Sequence, residues 1–418
     1  MTDREKKKCY RGLFIVNFLV CLGLGIVDPF FPVYATTHGA TGFHLAILFS
    51  GYAAAKALFS PLMGWLSDQR GRRNLLIAGL FSYALISLGY LFFPDPFSLI
   101  LLRFLQGMAA ALVRPLSLAI VGDIAPARRE GTVMGAFDIS FYAAFAIGPI
   151  VGGIIKDAVG FSGIFLSLFC LALLAMAALM LFMKGPGQLD GKERTTGRMD
   201  IRSFKKSKML VALCGFIFTR TFGIVLFSMF LPIFMHEELK LKGVEIGVIM
   251  GAATIVTALL LGPMGYLSDR VRKDRLVVIG GAGAALLTCC LPLAGTFHQL
   301  LVLSVGIGIA SVLSLPASTA LLVEEGNRLG MGMTMGVFNG AMNLGAVLAP
   351  LIAGAAFGLV GIKALFYGAG LIGLVGTCFY FAYTAKPRAP HRKVFNGASV
   401  PLDGAGPLVT ESSICREG

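Results

Sequence analysis

The stretch from Gly64 to Arg73, Gly-Trp-Leu-Ser-Asp-Gln-Arg-Gly-Arg-Arg, sets a tight, glycine-bounded cluster of charge between two long apolar segments, and a similar arrangement returns later in the chain. The second copy, Gly265-Tyr266-Leu267-Ser268-Asp269-Arg270-Val271-Arg272-Lys273, begins 201 positions later (265 − 64 = 201). The same offset pairs Pro115 with Pro316, Asp123 with Glu324, Met134 to Asp138 with Met335 to Asn339, Pro149 with Pro350, and Gly153 with Gly354. A single Gly-x-Leu-Ser-Asp segment reads equally well as a plain polar turn. Two copies in register, each followed by basic residues, mark a duplicated unit and predict two equivalent bundles in tandem.

The material between the copies decides what kind of bundle this is. Apolar residues make up 56% of the chain and charged residues 14%, against about a quarter charged in a soluble domain. The excess of 36 Lys and Arg over 22 Asp and Glu sits in short clusters between apolar runs. Such clusters orient a chain in a membrane; they do not form the continuous basic surface that nucleic acid needs. The eight cysteines are scattered without Cys-x-x-Cys or Cys/His spacing, so they read as small apolar fillers, with no metal or disulfide. Lys6-Lys7-Lys8 before an apolar run imitates a secretory leader, but the run continues through Asp28-Pro29 to Tyr34 without a small-residue cleavage site. The first segment is expected to be retained as a helix.

A membrane-spanning helix needs about 20 apolar residues. By that measure spans lie near 12–35, 42–64, 74–93, 98–121, 132–154 and 161–183, and again near 209–235, 243–265, 275–296, 299–322, 332–356 and 361–384. The expected fold is an all-α polytopic membrane protein with twelve transmembrane helices in two pseudo-symmetric six-helix bundles, 12–184 and 209–385. A tail (1–11), a basic linker (185–208) and a second tail (386–418), expected to be disordered, complete the chain. The connections around Arg4 to Arg11, Arg70 to Arg73, Arg128-Arg129, Lys184 to Lys208, Arg270 to Arg275 and Lys386 to Lys393 all fall on one side. The positive-inside bias makes that side, and both termini, cytoplasmic.

Ionisable side chains within a bilayer are costly and mark functional candidates. Within the spans these are Asp28, Lys56, Arg103, Arg114, Asp138 and Arg220. At 1.5 Å per residue, Asp28 lies about 24 Å from the basic end of the first helix and Arg103 about 7 Å from the far end of the fourth. Arg114 and Asp138 lie about 10 and 9 Å from the basic ends of the fourth and fifth helices. Two levels of ion pairing follow, Asp28 with Arg103 and Asp138 with Arg114. Each pair reads either as a structural lock, with Arg103 alternatively snorkelling outward, or as a proton-coupling device whose carboxylate titrates when its partner moves. Four basic against two acidic residues leave a surplus of two positive charges (4 − 2 = 2), which favours anionic or zwitterionic amphiphiles; Lys56 and Arg220 are the candidate cavity residues.

The first charged loop closely resembles the loop between helices 2 and 3 of the major facilitator superfamily, Gly-x-Leu-x-Asp-Arg-x-Gly-Arg-Arg/Lys, and departs from it at Gln69. The resemblance implies that Asp68 docks against the start of helix 11 and that Arg72 pairs with Asp123, holding the cytoplasmic side shut; Asp269 is the equivalent acid of the second copy. Arg103-Phe104-Leu105-Gln106-Gly107 resembles the family's helix-4 motif, whose arginine is associated with proton transfer, a pattern that does not include Arg114. Gly148-Pro149-Ile150-Val151-Gly152-Gly153 is similar to the antiporter motif Gly-Pro-x-x-Gly-Gly, and Asp28 to Pro32 to the bent first helix of drug/proton antiporters. Ordinary glycine-rich packing is the alternative for helix 5.

The expected function is secondary transport, with proton entry expelling a small-molecule substrate by rocking of the two halves. An organic-anion importer or facilitator of the same fold is the alternative, and a non-transporting receptor or membrane enzyme a weaker one. No Walker loop, cofactor motif or catalytic cluster is evident, so neither a cofactor nor enzymatic activity is expected. The partners are substrate, protons and lipid; a monomer in a bacterial inner membrane is the expectation. Asp68→Asn should impair transport in inserted protein more than Asp269→Asn, because the second loop lacks the Gly-Arg-Arg ending. Equal losses in a transport assay would count against that asymmetry.

Overall fold

The computed structural model describes residues 3–125, 130–183 and 207–384; helices and their connections make up everything described. The first half comprises α1 (Asp3–Val27), α2 (Phe31–Thr37), α3 (Gly42–Arg70), α4 (Arg72–Phe92), α5 (Pro96–Ile124), α6 (Glu130–Val159) and α7 (Phe161–Phe182). The second comprises α8 (Lys208–Glu237), α9 (Gly243–Arg270), α10 (Lys273–Cys290), a 3₁₀ turn at Leu291–Leu293, α11 (Phe297–Leu329) and α12 (Met331–Thr384). Eleven continuous segments are long and apolar enough to cross a membrane, one of them α1 with α2. At 1.5 Å per residue, α12 would reach about 80 Å, far beyond a hydrocarbon core of about 30 Å. It is broken at Gly361, whose φ of 75° leaves the helical region, so it crosses twice and the crossings number twelve. The linker from 184 to 206 and the tail from 385 lie outside the described residues.

The duplication extends to individual bonds. Asp95 caps α5 by accepting from the Ser98 N–H at 2.9 Å, and Thr296, its equivalent, caps α11 by accepting from the Gln299 N–H at 3.4 Å. The N–H groups of Thr41 and Lys242 are donated to the side chains of His44 and Glu245, so both helices begin with an otherwise orphaned donor satisfied. Gly160, at φ 82°, is the counterpart of Gly361 and makes the same turn. Arg72 pairs with Asp123 at the base of the first half, and Lys273 with Glu324 at the base of the second.

Within lipid, helices gain little from burying apolar surface and associate by close packing of small residues. The duplicated glycines do this work: Gly107 on α5 leaves room for the Tyr52 carbonyl of α3, and its equivalent Gly308 on α11 for the Ala253 carbonyl of α9. A methyl added at Gly308 would lie 2.6 Å from that oxygen.

The two halves meet on the face opposite the basic loops. There α3 packs on α12 and α6 on α9, and the Ser50 hydroxyl donates to the Val347 carbonyl at 2.9 Å. Toward the basic face, among the described residues, a methyl placed at Gly64, Gly265, Gly336 or Gly340 on these helices would meet nothing within 4 Å. Among the described residues the close contacts between the halves gather at the end away from the basic loops, and space is left between the helices toward the basic face.

Candidate functional site

A cavity of about 580 Å³ lies between the halves, within the range of small-molecule sites. Its first-half wall is aromatic, with Phe141, Tyr142 and Phe145; its second-half wall carries hydroxyls, among them Thr219, Thr257 and Ser311. Asp28 and Arg220 are the lining residues with formal charge.

Asp28 owes its position to a break in the first span. Helix α1 stops at Val27, and α2 begins at Phe31 with Pro32 in its first turn, where the missing proline N–H costs nothing. The intervening turn presents the Asp28 carboxylate, about one third exposed, to the cavity while the Arg103 Nη2 donates to it at 2.8 Å. Arg103 itself is 2% exposed. Its Nη1 donates to Gln106 Oε1 at 2.6 Å, which also accepts from the Tyr90 hydroxyl at 2.9 Å. The guanidinium lies over the rings of Phe31, Tyr52 and Phe49, at 4.4, 4.9 and 5.5 Å from their centroids. Such a cage holds a cation against displacement, because each ring face is worth about 0.5–2 kcal/mol. The carboxylate is the half of the pair with access to the cavity.

The second pair lies nearer the basic face. Arg114 donates to Asp138 at 3.0 Å and stacks on Phe141 at 3.9 Å; both residues are partly exposed and neither lines the cavity. Lys56 is exposed on α3 and also stands outside the lining, whereas Arg220 is on it. Asp68 and Asp269 fall in the last turns of α3 and α9, and their side chains are outside the described residues. At the positions equivalent to Asp28, Arg103, Arg114 and Asp138 the second half has Met229, Ser304, Leu315 and Asn339. The duplication is thus kept in caps and packing and lost at every charged position of the two pairs.

The glycine-proline motif seats α6 between two neighbours. Gly148 and Gly152 face the backbone of Gly25 and Ile26 on α1, while Gly153 faces Gly243 and Val244 on α9, and Gly247 faces the Pro149 carbonyl. Beside this contact the Asp157 carboxylate accepts the N–H groups of Gly243 and Val244 at 2.8 and 2.9 Å. These are orphan donors of the first turn of α9, at the positive end of its dipole. The spans expected from the sequence, 132–154 and 161–183, leave Asp157 in the connection between them and give Gly243 and Gly247 no role. The four-residue spacing Gly243, Gly247, Gly251 was the available signal for close helix packing.

Asp157 therefore latches the closed end. Asp157→Ala removes two hydrogen bonds to a charged acceptor that is itself exposed, a loss of about 1–2 kcal/mol, or roughly tenfold in the balance between closed and open ends. Spin labels at the exposed residues Val159 and Leu293, one in each half, are expected to show a larger population of wide separations. An unchanged distance distribution would rule the latch out.

A family model described as Major Facilitator Superfamily matches residues 13–234 and 213–413. An uncharacterised transporter of this type from Methanocaldococcus jannaschii is 26% identical over 370 residues, covering 87% of this chain and 95% of that protein. The multi-drug resistance efflux pump PmrA of Streptococcus pneumoniae is 25% identical over 378 residues, covering 89% and 94%. Among solved structures, a bacterial homologue of the human lysosomal transporter Spinster, inward-facing and unoccupied, superposes with a TM-score of 0.77 at 14% identity, covering 92% of this chain and 98% of that one.

Proposed function

This chain belongs to the major facilitator superfamily of membrane transporters, and on that premise we propose that it is a proton-coupled antiporter exporting a small amphiphilic molecule. The reading rests on one observation: Asp28 is bonded to a caged, buried arginine and at the same time lies on the wall of the inter-half cavity. In this proposal Asp28 carries the proton, and the making and loosening of its bond to Arg103 as the helices shift ties that proton to the change of conformation. Substrate and proton then compete for one state of the cavity, which couples their opposite movements.

The basic face is cytoplasmic in this proposal, by the positive-inside bias, and the open end of the cavity faces inward. Export is supported by a relative named as a multidrug efflux pump and by the packing of Gly148-Pro149-Ile150-Val151-Gly152-Gly153 between α1 and α9. In this proposal Asp68 and Asp269, in the last turns of α3 and α9, act as gates at the basic face. Arg72–Asp123, expected from the sequence to help hold that face shut, and Lys273–Glu324 each join two helices of the same half and brace it without spanning the halves. The test is transport by purified protein in lipid vesicles, with a panel of fluorescent anionic, neutral and cationic amphiphiles, with and without an imposed pH gradient. Accumulation that follows the gradient is expected. Fluxes indifferent to it for every compound moved would overturn proton coupling.

A further inference from the structure

Of the four cations that the sequence places in the spans, two are paired and a third is off the cavity lining. Arg103 is bonded to Asp28 and Gln106 inside its aromatic cage, Arg114 is paired with Asp138 over Phe141, and Lys56 stands outside the cavity. Arg220 differs from all three. It lines the cavity on α8, and among the described residues no carboxylate lies within 4 Å of it and no acceptor is hydrogen-bonded to it. A guanidinium offers five N–H donors in a planar fork, and a charge withdrawn from bulk water without partners is costly. The other charge on the wall, Asp28, is already neutralised by Arg103, so the cavity presents one uncompensated positive charge.

We infer that Arg220 is the specificity-determining residue of the cavity and that the preferred substrate carries an anionic, oxygen-bearing head, a carboxylate, sulfonate or phosphate ester. A fork of N–H donors matches such a head bidentately, and reduced solvation in the cavity strengthens the attraction. The remainder of the substrate is apolar, because the surfaces around the head are Phe141, Phe145, Phe227 and Met250. The hydroxyls of Thr219 and Thr257 on the second-half wall donate to carbonyls of their own helices, which leaves Arg220 as the donor offered to an anionic head. This inference rests on the reading of the cavity as the substrate site and narrows it to one chemical class.

Three probes with one ring system separate charge from shape: naphthalene-2-sulfonate, 2-naphthol and (naphthalen-2-ylmethyl)trimethylammonium. Their affinities are measured by calorimetry on the purified full-length protein in an uncharged detergent. The wild type is expected to bind the sulfonate tightest. Arg220→Gln should weaken sulfonate binding about tenfold or more, the loss of hydrogen bonds to a charged group, while leaving 2-naphthol unchanged. Arg220→Lys should retain part of the preference, and Lys56→Gln all of it. Equal affinity for the three probes in the wild type, preference for the cation, or no sulfonate binding overturns the inference, and so does loss of the preference in Lys56→Gln. The wild-type comparison stands even if the Arg220 variants fail to fold. Sulfonate preference without pH-driven flux would sink the antiporter reading alone; pH-driven flux without charge preference would sink this one alone.

Discussion

In vesicles, Asp28→Asn is expected to lose pH-driven substrate accumulation down to the level of vesicles without protein, while still binding substrate. The amide keeps the shape of the carboxylate and one acceptor for Arg103, but it neither takes up nor releases a proton. Removing the negative partner leaves Arg103 as an uncompensated charge at 2% exposure, and breaking a buried pair in this way costs about 3–5 kcal/mol. The rings of Phe31, Tyr52 and Phe49 and the 2.6 Å bond to Gln106 remain. At about 0.5–2 kcal/mol for each ring face, they offset much of that cost, so a folded but less thermostable protein is expected. Downhill exchange of substrate should survive, because it requires the two halves to rock but no titration. Asp28→Glu, which titrates, should recover part of the coupling. If Asp28→Asn accumulates substrate normally in vesicles holding wild-type amounts of folded protein, the proton is carried elsewhere, and the Asp138–Arg114 pair becomes the first alternative.

Gly153→Leu is expected to abolish transport by a different route, leaving charge and titration untouched. A first side-chain carbon at Gly153 would overlap the Gly243 carbonyl and come within 2.8 Å of the Val244 Cα. The facing contact leaves no slack, since Gly247 in turn abuts the Pro149 carbonyl, and backbone atoms do not yield as a flexible side chain does. Overpacking of this kind costs about 1–3 kcal/mol and upward, and here it falls entirely on the conformation in which α6 touches α9. Alternating access requires both conformations, so a transporter held open at this end moves substrate through no full cycle. Spin labels at Val159 and Leu293 should report the widened end directly, and Asp157 would lose its grip on the Gly243 and Val244 N–H groups as a consequence. Wild-type label distances together with wild-type flux would show that the glycine contact is ordinary packing.

Length and hydropathy alone determined the number of crossings, because a bilayer fixes how many apolar residues each needs. The 201-residue offset determined the two equivalent halves, and its caps and paired bases, Asp95 with Thr296 and Arg72–Asp123 with Lys273–Glu324, are the same local chemistry written twice. Helical rise also set the depth of each charge, which is why Asp28 and Arg103 stood at one level and Arg114 and Asp138 at another. Depth is an axial quantity, and a fixed rise per residue makes it legible. Rotation about the helix axis is not: each residue turns by about 100°, and which way a face points depends on every neighbour packed against it. Lys56 and Arg220 looked alike in the sequence, yet only Arg220 lines the cavity. Gln106, Tyr90 and the three rings around Arg103 come from four separate helices, so no window of sequence contains them together. Asp157 gives the same lesson across the two halves, because the N–H groups it accepts lie 86 and 87 positions away. Every helix begins with unsatisfied donors, and only the packing of α6 on α9 decided which acid would reach these.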